Sequence, residues 1–487
     1  MQLVCEGHPQ IGGVTQGFRL VLNHPTALDD PVIDGASDAE GSGASIYGSV
    51  IEDSGVYRMW YQAWPRDWQG GDEISVACAE SDDGVTWRRP RYGLVESCGS
   101  LDNHLTDLPF HCPSVLVDPH ATDEARYRAF GYTDPVRVKG RYTARVDSRG
   151  YYTAHSADGI HWEVDSSQPT WPHADVITSV WDDRANCALV ALKHNGLCKG
   201  MFRRRFFTAT WDRGQASEPV SAFFPDELDD LSARSRGFVS ADYYGVGLMP
   251  TDGPTIGFLW NFRHQQPIGH SEPRAMYYGS VGQVDLSVVY QLERGGRWLH
   301  LPGRPDWFGT ADAPPWARGA LYTAASPIHV GDETWLYFTG TREYHGWSGI
   351  DVDPRERRER IAEEGGFSRI GLLKWKRDRV TGYRAEHRER IAIEPRSVAT
   401  PDDAGLRLNA VTGSGGSIRV ALVDAEHQPL PGYGYEDCEP IAGDHLEAVV
   451  RWRGRADVPR ISEQDPALAM VEIEGGTLYA FDYRRLP

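Results

Sequence analysis

The sequence predicts an all-β chain: a five-bladed β-propeller with an N-terminal extension over residues 1–398, then a β-sandwich over 399–487. Three observations carry this. The composition is rich in aromatics (Trp 16, Tyr 22, Phe 15) and turn formers (Gly 52, Pro 31), which favours strands joined by tight turns. One grammar of strands and turns recurs five times. That grammar stops near residue 400.

The clearest mark of the repeat is a pair of near copies, "ESDDGVTW" (Glu80 to Trp87) and "HSADGIHW" (His155 to Trp162). Each reads as a strand end, an Asp-Gly turn and a Trp opening the next strand. Gly accepts positive φ at little cost, so Asp-Gly between strands is a strong hairpin signal. Weaker forms follow at Thr208 to Gln215, Tyr290 to Trp298 and Leu372 to Tyr383. Each turn has a β-rich run upstream: 57–64, 126–132, 187–194, 255–262 and 334–341. Before each of these lies another: 45–51, 113–119, 175–181, 243–249 and 321–330. Strand, turn, strand, strand, Asp-Gly turn, strand is a four-stranded antiparallel unit, and five such units make a propeller. After residue 400, "LRLNAVTGSGGSIRVALV" and "GTLYAFDY" alternate with Gly-rich turns, as a sandwich does. The charged run 351–367 reads as a loop or short exposed helix.

The formal net charge of −19 disfavours nucleic acid and anionic membranes as partners and suits a neutral ligand. Seven cysteines, odd in number and without a CxxC pair, suggest neither a disulfide framework nor a zinc site, and no cofactor or metal is expected. The N-terminus lacks the basic and apolar regions of a signal peptide, and no run reaches the roughly 18 apolar residues of a membrane span. A cytoplasmic location is the expectation.

The pairing of "YRMWYQ" with "ESDDGVTW", the five units and the trailing sandwich resemble the five-bladed glycoside hydrolases, the β-fructosidase (family 32) and arabinanase/xylosidase (family 43) superfamily. The signature Trp-Met-Asn-Asp-Pro-Asn-Gly is absent, as are the Arg-Asp-Pro and Glu-Cys motifs, so the resemblance implies a divergent branch. It implies carboxylates at the starts of innermost strands of units one, three and four. Unit three offers Asp175 and unit four Asp242. Unit one has no acid directly before its strand, but Asp38 and Glu40 lie just upstream. Such chemistry needs one carboxyl that keeps its proton for the leaving oxygen and one that is ionised, to attack or to activate water. Asp175 is expected at the tunnel end of its strand, facing the central cavity.

Further candidates for substrate contact are Asp107 and His111 in unit two, Trp64 and Trp68 in a polar loop, Arg263 and His264, Tyr322 in unit five, and the cluster Arg342, Glu343, His345. Trp347 is another stacking candidate. Trp60 and Trp260, at mid-strand, read as core, and Asp285 as structural. Lys193, His194 and Arg203 to Arg205, together with Arg263 and His264, could cradle an anion, but strand alternation keeps Arg204 from facing the same way as its neighbours. Cys112 reads as a buried thiol. The expected activity is release of a terminal sugar, possibly a furanoside, from a small neutral glycoside. The alternatives are an inverting phosphorylase and a carbohydrate-binding propeller without chemistry.

Overall fold

The computed structural model describes residues 1–68, 74–172, 175–198, 201–265, 281–346, 354–363, 366–394, 404–459 and 468–485. Strands dominate. The longer described helices are Glu227–Ser235 and Pro354–Glu363, the latter within the charged run. No described helix is long and apolar enough to cross a membrane.

Antiparallel groups follow one another along the chain. The first holds Gly43–Asp53, Val56–Trp64 and Ser75–Ser81. The second holds His111–Val117, Tyr127–Thr133, Gly150–Ser156 and Glu163–Val164. The third is built on Ile177–Asp182, Cys187–Cys198 and Met201–Asp212. A larger sheet contains two more runs, Ser240–Met249 to Gly282–Gln291 and Ala320–Thr323 to Ser368–Lys376, joined by the single parallel pair Val284 and Ala320. The N-terminal strand Thr26–Ala27 pairs onto the edge of the last run.

The first strands of these runs are tied to one another in order by hydrogen bonds that close on themselves. Val115 N donates to Ser49 Oγ (2.9 Å), Ser179 N to Ser114 Oγ (2.8 Å) and Thr178 Oγ1 to Val246 O (2.7 Å). Leu248 N donates to Ala325 O (2.7 Å), and Ala325 N returns to Gly48 O (2.8 Å). Small hydroxyl side chains can do this because they bond at close range without forcing the strands apart.

Both Asp-Gly turns fold alike. Asp83 Oδ1 accepts from Val85 N (2.8 Å) and Thr86 N (2.7 Å), and Asp158 Oδ1 accepts from Ile160 N (2.8 Å) and His161 N (2.9 Å). Ser81 and Ser156 accept from the amides of Gly84 and Gly159. The two Trp residues that follow, Trp87 and Trp162, are buried. Trp60 and Trp260 are wholly buried, as expected of core residues.

Three first strands carry bulges near their N-terminal ends. Ser45 faces Gln62 while Ser49 faces Trp60; His111 faces Tyr132 while Ser114 faces Phe130; Tyr243 faces Asn261 while Gly245 faces Trp260. The extra residues are re-aimed out of the ladder. Glycine follows two of them because the chain runs against its neighbour there: a Cβ on Gly48 would sit 1.9 Å from Trp60 O, and one on Gly245 2.5 Å from the Trp260 ring.

An eight-stranded sheet has its own apolar core, including Leu406, Leu408, Val471 and Phe481. It draws on both ends of the chain. Gln2–Leu3, Ile11–Val14 and Arg19–Leu22 join it beside Thr381–Ala385, Glu389–Ile393, Ala404–Val423, Asp444–Val449 and Leu468–Arg485.

Candidate functional site

The N-terminal ends of the first strands converge on a cavity of about 250 Å³. Its wall takes Ser45 and Tyr47 from the first group, His111 and Cys112 from the second, Tyr244 from the fourth and Tyr322 from the fifth. Tyr47, Cys112 and Tyr244 are residues that the three bulges turn out of their ladders. Trp64, Trp68 and Phe367 form an aromatic side, with Trp64 edge-on to Phe367 at 5.1 Å between ring centroids. Thr341, Glu343, Tyr344, His345, Gly346 and Ile361 complete the wall.

Asp175 lies just before Ile177–Asp182; it is not one of the cavity's lining residues but stands behind His111, which is. Its backbone holds φ at 117°, a conformation an L side chain rarely adopts, and Cys112 close by holds φ at 50°. Strain of this kind collects at functional sites, where the surrounding structure enforces it. The Asp175 carboxylate meets side chains. Oδ2 binds Lys193 Nζ, and Oδ1 lies 3.6 Å from His111 Nε2. Burial works to raise this carboxyl, but Lys193 and His111 overcome it and hold it well below the usual carboxylate range. Lys193 is itself buried, which lowers its pKa against the opposing pull of Asp175, and its ammonium sits 3.7 Å above the Tyr244 ring centroid. His111 Nδ1 is 2.7 Å from Gln62 Nε2.

Asp242 is placed differently. It is wholly buried, with Oδ2 accepting from Arg204 Nη1 and Arg204 N (both 3.1 Å) and Oδ1 3.2 Å from His264 Nε2. Burial opposes ionisation, but His264 and Arg204 prevail and hold the pKa far below normal. Arg204 in turn lies over the rings of Tyr244 and Phe262, under the cavity wall.

Of the other sequence candidates, Trp64, Trp68, His111, Tyr322, Glu343 and His345 line the cavity together. Tyr322 Oη is 2.7 Å from His345 Nδ1, and burial with the nearby Arg204 and Lys193 pushes that imidazole down to about 3, so it is neutral. Glu343 pairs with Arg360 of the helix Pro354–Glu363. Arg342 is exposed. Trp347 lies outside the described residues. Asp38 faces solvent, paired with Arg66 at 2.7 Å. Asp107 accepts from Trp162 N (2.7 Å) and so anchors the second Asp-Gly turn; burial raises its pKa. Arg263 is consumed by Asp285 and Asp306, and none of these residues lines the cavity.

Glu40 is wholly buried, with both oxygens spent on Tyr61, His104 (3.1 Å) and Arg89 (2.7 Å). Alternation along Val56–Trp64 explains the separation, since Tyr61 and Gln62 point to opposite faces and Gln62 is the one that meets His111. Burial works against the Glu40 charge, yet its partners lower the pKa to about 2. A depressed folded-state pKa gives stability above the unfolded value, near 4.5, that is lost as pH falls towards 2. The expected size is on the order of 3 kcal/mol. Urea denaturation across that range is expected to show this loss in the wild type and a flatter profile in Glu40→Gln.

Missing from the sequence candidates were Tyr47, Tyr244 and Phe367. The first two had a signal: each is a Tyr-Gly pair inside a strand, and an isolated strand glycine marks a bulge.

No family model matches the chain. Two uncharacterized proteins of Mycobacterium tuberculosis match it over 134 residues at 29% and 30% identity. Each match takes in 26% of this chain and only 38% of the relative's length. Solved structures similar to the chain include a GH32 β-fructofuranosidase of Bombyx mori (TM-score 0.41, 11% identity, 96% of this chain and 95% of that one). Others are an exo-β-1,3-galactanase of Phanerochaete chrysosporium (0.38, 10%, 93% and 100%) and an N-acetylgalactosamine deacetylase of F. plautii (0.43, 15%, 73% and 96%).

Proposed function

We propose that the chain is a five-bladed β-propeller bearing a β-sandwich, and that it cleaves the terminal sugar from a small neutral glycoside in the cavity described above. The observation that carries this reading is the placement of Asp175: an acid on strained backbone, 3.6 Å from the His111 imidazole that lines an aromatic-walled cavity of about 250 Å³. Trp64 and Trp68 offer apolar faces to a sugar ring, and Tyr322, His345, Ser45 and Thr341 offer hydroxyl and imidazole partners for its hydroxyls. Asp175 meets the anomeric carbon or the water that attacks it. Glu343, which lines the cavity and is ion-paired with Arg360, is placed to accept from a sugar hydroxyl. Asp242 is a positioning residue, acting through Arg204.

Among the described residues, three cations close to the cavity are paired with carboxylates: Lys193 with Asp175, Arg204 with Asp242, Arg360 with Glu343. This pairing favours water over phosphate as the acceptor and a neutral sugar over a charged one.

The test is a panel of 4-nitrophenyl pyranosides and furanosides, each assayed with and without inorganic phosphate. Turnover of at least one without phosphate is expected; turnover only with phosphate would make the chain a phosphorylase, and binding without turnover would make it a lectin-like propeller. On a substrate found this way, Trp64→Ala is expected to raise KM about tenfold, the worth of one aromatic stacking contact. Glu343→Gln is expected to raise KM about tenfold with kcat held, because the amide accepts a weaker hydrogen bond from the sugar hydroxyl than the carboxylate does. A fall in kcat with KM unchanged would remove Glu343 from that role.

A further inference from the structure

His111, Cys112 and Asp175 bring an imidazole nitrogen, a thiol sulfur and a carboxylate oxygen within 4.8 Å of one another. Neighbours in a regular strand point to opposite faces, so adjacent His and Cys do not normally share a target. Here the bulge between His111 and Ser114, with Cys112 at φ 50°, turns both towards Asp175, whose own φ is 117°. Two strained residues thus supply two of the three donors.

We propose that these three side chains form a seat for a borderline-soft divalent cation of the Zn²⁺ class, with its remaining coordination position open to the cavity that His111 and Cys112 line. The 3.6 Å between His111 Nε2 and Asp175 Oδ1 is long for a hydrogen bond. It is close to the edge of a tetrahedron built from bonds of about 2.0–2.1 Å to nitrogen and oxygen. Oδ1 turns to the ion while Oδ2 keeps Lys193, so the ligating carboxylate is held by a second contact.

Gln62 fits both states of the seat. Its Nε2 is 2.7 Å from His111 Nδ1, and its Oε1 accepts from Cys112 Sγ at 3.7 Å. With the ion bound, the thiol proton leaves to solvent and the histidine proton moves to Nδ1. A half-turn of the Gln62 amide then lets Oε1 accept from Nδ1–H and Nε2 donate to the thiolate.

The seat itself stands apart from the carbohydrate reading. One consequence rests on that reading: the ion takes the Asp175 oxygen that the glycoside needs, so ion and glycoside compete.

The test uses the full chain, stripped of metal with a chelator. Titration with Co²⁺ is expected to give one equivalent of tetrahedral cobalt with a thiolate charge-transfer band, displaced by Zn²⁺. Cys112→Ser is expected to abolish that band, and Gln62→Leu to weaken binding about 10–100-fold. Near-UV circular dichroism checks that each variant is folded. X-ray absorption of the Zn²⁺-loaded wild type reads the same seat without any substitution. One sulfur near 2.3 Å with nitrogen and oxygen at about 2.0–2.1 Å is expected. A shell without sulfur, a shell with several sulfurs, or a thiolate band that survives Cys112→Ser overturns the proposal. Binding is read without substrate, so an inactive panel leaves the seat standing, and an unbound ion leaves the glycoside reading standing.

Discussion

Asp175→Asn is expected to lower kcat/KM on any substrate of this chain by about 1,000-fold, most of it in kcat. The amide is close to isosteric, so the sugar still meets Trp64, Trp68 and Tyr322. What is lost is the charge at the reacting position. The same substitution leaves Lys193 without its partner, and Lys193 is 2% exposed. Some loss of stability therefore accompanies the loss of rate, and thermal unfolding separates the two. Asp242→Asn provides the contrast. Asp242 has no exposed surface, and its partner Arg204 packs on the ring of Tyr244 behind the cavity wall. Its substitution is expected to cost stability while holding kcat/KM within about tenfold, the scale of a displaced contact rather than a removed acid or base. Equal rate losses in the two variants would return Asp242 to the chemistry.

Arg263→Leu is expected to destabilise the chain by about 3–5 kcal/mol. Arg263 is 1% exposed; it binds Asp285, which is 2% exposed, and reaches Asp306 at 2.5 Å. Removing the guanidinium strands a buried carboxylate, and this desolvation penalty dominates the cost. Asp306 keeps Arg236, so Asp285 is the residue left exposed to the penalty. The double variant Arg263→Leu, Asp285→Leu removes both charges and is expected to recover most of the loss in urea denaturation. A single variant as stable as the wild type would show that Arg263 is not structural.

The parts of this molecule written in local chemistry could be read from its sequence. Asp-Gly turns need only the residues beside them, and both copies form the same hydrogen bonds at Asp83 and Asp158. The position of Asp175 ahead of an apolar strand was legible for the same reason. Its cation, Lys193, lies on the neighbouring strand of the same hairpin, where Lys193 N bonds Val176 O at 2.9 Å.

What depends on distant partners was not legible. Asp242 and Asp175 look alike as strand-start acids and each meets a cation and a histidine, but Asp242 is closed over completely while the Asp175 side chain stays 33% exposed. Glu40 is withdrawn by His104 and Arg89, far along the chain. The residues 2–22 pair with strands near the C-terminus, a closure that no local pattern announces. The bulges that present Tyr47, Cys112 and Tyr244 arise where strand registers slip by a residue or two, and a glycine beside a tyrosine was the trace of the first and the last.

A sugar ring is expected to sit in the aromatic cavity with its anomeric carbon at residue 175. A crystal of Asp175→Asn soaked in a glycoside that the wild type turns over tests this directly. The sugar is expected against Trp64 and Trp68, with its anomeric carbon about 3–3.5 Å from the residue 175 side chain or from a water that it holds. A sugar bound at another cleft, or in this cavity with its anomeric carbon turned away from residue 175, would contradict the account.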